Sequence, residues 1–184
     1  MPVQIGASAH DFSDPTGFLS DCHRRIEMFM GVLEAVAKDI DRPLTPESKR
    51  AVEAALRYFR ESAPKHNADE EESLFPRMRN MGGTVIHPAL ARIEELEKQH
   101  RWAATLHEEV ERIGQICLSV TRPSQKEVES FRGAVAELAA MYREHIRVEE
   151  DEVFPVAARH LSRGEQAEIG KEMTARRSVA LKLP

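Results

Sequence analysis

Two stretches of this chain repeat one order of side chains able to do chemistry. Lys65-His66-Asn67-Ala68-Asp69-Glu70-Glu71-Glu72-Ser73-Leu74-Phe75-Pro76 and Arg143-Glu144-His145-Ile146-Arg147-Val148-Glu149-Glu150-Asp151-Glu152-Val153-Phe154-Pro155 both read His, three residues, Glu, further acids, an apolar residue and Phe-Pro. His66, Glu70 and Phe75 recur at His145, Glu149 and Phe154, each 79 positions later, so the pattern is a duplication. A histidine lies upstream of each copy, His23 before the first and His100 before the second. On a helix, a spacing of four turns the chain through about 400° and advances it about 6 Å, which puts His and Glu on one face with room for one ion or two neighbouring ions. Imidazole and carboxylate together suit iron, zinc, manganese or nickel and match calcium poorly, because calcium takes oxygen ligands alone.

Side chains so far apart in sequence can meet only if long helices carry them. Asp14-Pro15 and Thr45-Pro46 each pair an N-cap residue with proline at the first helical position, where the missing N–H costs nothing. Ser124 with Glu127, and Ser162 with Glu165, have the spacing of capping boxes. The first helix carries an inward seam of Leu19, His23, Ile26, Met30, Leu33 and Ala37 and ends near Ile40. The second carries Val52, Ala55, Phe59, Ser62, His66 and Glu70. Pro64 should kink it just before the metal motif, and Gly82-Gly83 should end the segment. A third helix from about Pro88 to Ser119 presents Ile93, Leu96, His100, Ala103, His107, Val110 and Cys117. The fourth, ending around His160, presents Phe131, Val135, Leu138, Tyr142, His145 and Glu149.

No alternating Val/Ile-rich segment competes with these helices. The fold class expected is therefore all-α, an up-down-up-down four-helix bundle with a short fifth C-terminal helix. The division expected is an irregular arm over 1–13, the bundle over 14–161, and a short helix and tail over 162–184, frayed from Ser178. At about 1.5 Å per residue, His23 and His66 lie about 26 and 30 Å from the turn joining their helices, and His100 and His145 about 29 and 30 Å from theirs. One layer of the bundle thus holds all four. Burying several unpartnered imidazoles costs on the order of kilocalories each, and a shared metal satisfies them together. The candidate ligands are His23, His66, His100 and His145, with Glu70 and Glu149 as the carboxylates on the same face.

Taken together, the order His, His-x-x-x-Glu, His, His-x-x-x-Glu and the Leu-Phe-Pro and Val-Phe-Pro endings resemble the hemerythrin-like cation-binding family over roughly residues 15 to 160. The resemblance implies a non-haem di-iron centre, two Fe ions with Zn or Mn as possible substitutes, in which Glu70 and Glu149 bridge. Some hemerythrins place the second carboxylate five residues after the histidine, which makes Glu150 the rival of Glu149. The family's oxygen carriers have a fifth histidine where this chain has Ala104, a departure that leaves an iron position open or filled by water or another group. The function implied is binding or sensing of O2, NO or peroxide at that open position. The alternatives are a di-iron enzyme of peroxide or NO detoxification or iron-sulfur cluster repair, and a metal-dependent regulatory or interaction module. Ferritin-like sites use four Glu and two His, the reverse of the proportion here. A nitrogen-rich set favours the ferrous state and small diatomic ligands.

The remaining composition narrows the setting. The 184 residues are 41% apolar and 31% charged with a formal charge of −5, enough for one domain and without an electrostatic reason to bind nucleic acid. Cys22 and Cys117 are too few for a disulfide framework, no apolar run approaches a membrane span, and no export signal stands at the N-terminus, so a cytoplasmic location is expected. Glu71, Glu72, Asp151 and Glu152 read as solvated surface and Arg176-Arg177 with Lys182 as a solvated basic end. Trp102, Phe29 and Phe59 read as packing. His107, about 10 Å along the axis from His100, reads as core or as support to the site, and Tyr142 as core or as a hydrogen-bond donor into it. His10, His87 and His160 read as surface residues, with His10 placed to cover the site if the arm folds over it.

Overall fold

A computed structural model describes residues 10–82, 86–119 and 122–179. Among them all regular structure is helical: α1 (Pro15–Asp39), α2 (Pro46–Glu61), α3 (Ala63–Ala68), a π-helical segment (Asp69–Leu74), α4 (Phe75–Asn80), α5 (His87–Leu118), α6 (Gln125–Val148), a second π-helical segment (Glu149–Val153), α7 (Phe154–His160) and α8 (Arg163–Val179). The starts follow the caps. Asp14 accepts from the Gly17 N–H at 3.0 Å and Thr45 from that of Ser48 at 3.1 Å, each satisfying a donor that the first helical turn leaves free. Ser124 with Glu127 and Ser162 with Glu165 form reciprocal capping boxes.

Prolines shape the two rods that carry the duplicated motif. Pro64 cannot donate to the Arg60 carbonyl, and the helix is interrupted at Ser62, between α2 and α3, as expected for a kink there. Pro76 and Pro155 act differently. Neither can bond to the carbonyl four residues back, and the turn before each widens so that Phe75 and Phe154 donate to Glu70 and Glu149, five residues back. The sequence reading ran straight helices through both places and missed these π segments.

α1 packs on α2 and α6, and α5 packs on α2 and α6, which closes a ring of four rods. Their apolar seams form two separate clusters. One gathers Ile26, Leu33, Leu56, Ile113, Phe131 and Leu138, and the other Leu19, Phe75, Ile93, Leu96, Phe154 and Ile169. Between them lies a polar layer, since each seam passes through a histidine on its way from one cluster to the other. At about 25 cal/mol per Å² of apolar surface removed from water, the two clusters supply the cohesion that holds this layer shut.

α8 runs 17 residues and packs on the first π segment. Here the sequence reading needs correction. Arg176 and Arg177 are not a solvated end: they bond the two oxygens of fully buried Asp69 at 2.8 and 2.6 Å, and Arg176 also reaches Ser73 Oγ at 2.8 Å. Gly170 lets α8 approach the arm, because a Cβ there would come within 2.0 Å of the Phe12 carbonyl oxygen. Trp102, expected to pack, is 46% exposed, since two residues past His100 the helix faces outward. Residues 1–9 of the arm, Gly83, and the end of the tail with Lys182 lie outside the described residues. Cys22 and Cys117 are both free and buried.

Candidate metal centre

Six side chains from four rods meet in the polar layer. His23 comes from α1, His66 from α3, Glu70 from the first π segment, His100 from α5, His145 from α6 and Glu149 from the second π segment. All are buried, with Glu70 and Glu149 fully so. Their donor atoms fall into two groups, His23 with His66, and His100 with His145, each completed by both Glu70 and Glu149, and within each group the atoms lie within 4.8 Å of one another. Both carboxylates therefore stand between the histidine pairs. His23 Nε2 is 3.0 Å and His145 Nε2 3.2 Å from Glu149, and His66 Nε2 is 3.4 Å and His100 Nε2 3.5 Å from Glu70.

A second set of groups fixes three of the four imidazoles. Glu150 accepts from His23 Nδ1 at 2.7 Å, Glu71 from His100 Nδ1 at 2.7 Å, and the Gln99 Oε1 from His145 Nδ1 at 2.8 Å. Glu71 and Glu150 are 79 positions apart, so each copy of the motif supplies one carboxylate to the space between the histidines and the next one to the outer nitrogen of a histidine on another rod. With Nδ1 of His100 and His145 donating outward, both Nε2 lone pairs point inward, 3.1 Å from each other. Two lone pairs at that distance repel unless a cation lies beside both, and metal-bound histidines are oriented by this kind of outer hydrogen bond.

The buried polar atoms give the same test of fit. His23 Nε2, both nitrogens of His66 and all four oxygens of Glu70 and Glu149 lack a hydrogen-bond partner. Orphans at such density are rare in folded proteins, and here they converge on one space. Without a cation the charges are strained. Burial, with the Glu149 charge beside it, pushes the Glu70 carboxyl well above its usual range. For Glu149 burial pushes the same way but His145 and His23 outweigh it and hold it well below that range. Burial alone would lower His23, yet the Glu149 and Glu150 carboxylates beside its two ring nitrogens raise it to about 9, while burial leaves His66 well below its normal value. The donor set fits one or two divalent transition-metal ions, which neutralise both carboxylates and engage all four inward nitrogens.

A pocket of about 390 Å³ reaches the layer between α2–α3 and α5 and is lined by His100, Ala104, His107, Phe59 and Tyr142. Ala104 is exposed at its rim. His107 stacks on Phe59 at 4.3 Å and its Nε2 lies 2.9 Å from the Tyr142 hydroxyl. Burial holds His107 down to about 4. Its folded value lies below the usual 6.5, so protonation favours the unfolded chain: stability is full above about pH 6.5 and falls by about 3 kcal/mol as pH drops to about 4. Denaturant unfolding of metal-free protein at the two pH values should show a smaller acid loss in His107→Gln than in the parent. An equal loss in both would refute this origin.

Of the residues singled out in the sequence, the six candidates are together in the layer, and Glu150 lies on the outer side of His23. Glu71 is a correction: it is half-buried on His100, not solvated. Gln99 was not singled out at all, although its place directly before His100 mirrors Cys22 before His23. His10 is tied to Asp21, its N–H donating at 2.8 Å, and it does not reach the layer, while His87 and His160 are exposed. Cys22 belongs to neither donor group.

Residues 14–157 match the family described as the hemerythrin HHE cation binding domain. An uncharacterized protein of Haemophilus influenzae is 28% identical over 169 residues, covering 91% of this chain and 92% of its own length. Among the described residues no helix is long and apolar enough to cross a membrane.

Proposed function

Because this chain belongs to the hemerythrin HHE cation-binding family, and its buried His/Glu groups could hold a metal, we propose that it is a non-haem di-iron protein that binds or senses O2, NO or peroxide. In this reading His23 and His66 would hold one ion and His100 and His145 the other, with Glu70 and Glu149 common to both groups of donors. The observation that carries it is the pair of inward Nε2 lone pairs on His100 and His145, 3.1 Å apart, with their outer nitrogens engaged by Glu71 and Gln99. A ferrous pair held in this way would supply electrons to a small ligand.

The chain's own residues set what reaches it. Two imidazoles and two shared carboxylates leave each ion room for a further ligand. Ala104 leaves open the face where the pocket meets His100, so a small molecule has a route to that side. Phe59 and Leu56 make the route apolar, which favours uncharged diatomic molecules over hydrated ions. Glu71, Glu150 and Gln99 keep the His100, His23 and His145 imidazoles oriented throughout.

Consumption of peroxide or NO is the second reading, favoured by Tyr142 and His107, whose hydrogen bond at the wall of the pocket can hold or pass a proton. Admitting oxygen, and separately NO, to the reduced iron-loaded protein should change its near-ultraviolet and visible absorption. No change with either gas would overturn the binding function, and sustained turnover of peroxide or NO would select the second reading. Zinc competes well for such donors, so the metal in protein from its native source decides between iron and a substitute.

A further inference from the structure

A second pocket, of about 510 Å³, lies between α1 and the α2–α3 rod and is lined by none of the six residues of the metal layer. Its size is that of small-molecule sites. Aromatic faces form much of its wall. Phe29 stacks on Tyr58 with centroids 4.5 Å apart and planes 26° from parallel, and Phe18 lies against Phe12 at the same separation.

The charge around these rings is one-sided. Arg25, Arg57 and Lys65 line the pocket and make no ion pair with a carboxylate among the described residues. Glu61, the acid in the lining, contacts Arg60 instead. Arg25 donates to Cys22 Sγ at 3.1 Å, a contact with a sulfur and not with a carboxylate. The Arg177 guanidinium stands 4.8 Å over the Phe18 ring and that of Arg25 5.7 Å from it, with Arg177 already held by Asp69. Cations gathered around one acid that pairs elsewhere repel one another, and an anion placed among them removes that cost. Guanidinium forks match phosphate oxygens, and aromatic faces take a flat ring.

We propose that this pocket binds a flat aromatic molecule carrying a phosphate monoester, with the ring against Phe29 and Tyr58 and the phosphate among Arg25, Arg57 and Lys65. Three unpaired cations exceed what one carboxylate neutralises, whereas a phosphate monoester carries a charge of about −1.5 to −2 at neutral pH. The pocket lies beside the metal layer, since Cys22 in its wall directly precedes His23 and the Tyr58 hydroxyl donates to the Cys22 carbonyl at 3.3 Å. Binding itself needs no metal.

Flavin mononucleotide serves as the probe, with riboflavin as the same ring without phosphate and inorganic phosphate as the anion without the ring. Titration of the full chain, followed by flavin fluorescence, should show one saturable site per chain. Riboflavin should bind at least about tenfold more weakly, and phosphate alone should compete only at millimolar levels. Arg57→Glu with Lys65→Glu should weaken the mononucleotide at least about thirtyfold while metal content and helix content stay those of the parent. If the double variant fails to fold, Arg57→Glu alone should give at least about a fivefold loss. Equal binding of mononucleotide and riboflavin, unchanged affinity in the charge-reversed chain, or no saturable binding up to about 1 mM mononucleotide would each overturn the proposal.

Discussion

Glu149→Ala protein, offered ferrous iron under argon, should fail to bind a stable pair of ions. Glu149 completes both donor groups, and its Oε2 lies 3.0 and 3.2 Å from histidines belonging to different groups, so removing it takes a donor from each position at once. The loss should exceed the about 10–100-fold that follows removal of an outer hydrogen-bonding partner. Glu71→Gln and Glu150→Gln supply that comparison, because each acts on the outer nitrogen of one histidine and leaves every inward donor in place. The graded order, with Glu149→Ala far below Glu150→Gln and Glu71→Gln and both below the parent, would be read by competition with a chelator of known affinity. Equal affinities across the three variants would show that Glu149 is not shared.

Asp69→Ala should be the most destabilising single change outside the metal layer. Asp69 is fully buried and bonds two arginines that are themselves largely covered, Arg176 at 18% and Arg177 at 25% exposed. Its removal leaves Arg177 without a carboxylate and Arg176 with only the exposed Glu72, in a site built around a buried acid, a change that costs about 3–5 kcal/mol, or a drop in Tm on the order of 10 °C in a chain of this size. α8 should detach with it, since Arg176 and Arg177 tie that helix to the first π segment, and limited proteolysis should then cut within α8 first. Arg176→Ala should cost less, because Arg177 still holds one oxygen of Asp69. A Tm for Asp69→Ala within about 2 °C of the parent would show that the pair is as weak as an exposed one.

The sequence made the rods and the layer legible because both follow simple periodicities. Caps at Asp14, Thr45, Ser124 and Ser162 set the starts, the seams placed His23, His66, His100 and His145 inward, and counting from the two turns put them at one depth. Part of what escaped follows from the π segments. A straight helix turns about 100° per residue, and the π segments after His66 and His145 break that phase, so the carboxylates following Glu70 and Glu149 rotate inward from positions that a regular helix would leave in solvent. Glu71 was hidden in this way, while Glu150, read as the rival of Glu149, turns instead to the outer nitrogen of His23, although Pro76 and Pro155 marked both places. Asp69 was hidden differently. Its arginines lie more than a hundred residues further on, and no periodicity links an acid in one rod to a basic pair on a helix packed across it.

Six side chains are expected to close around two ions. Titration of metal-free protein with ferrous iron under argon, followed by removal of loosely held ions and metal analysis, tests that most directly. Two ions per chain are expected, falling together in Glu149→Ala. One ion, none, or a pair that survives loss of Glu149 would contradict it.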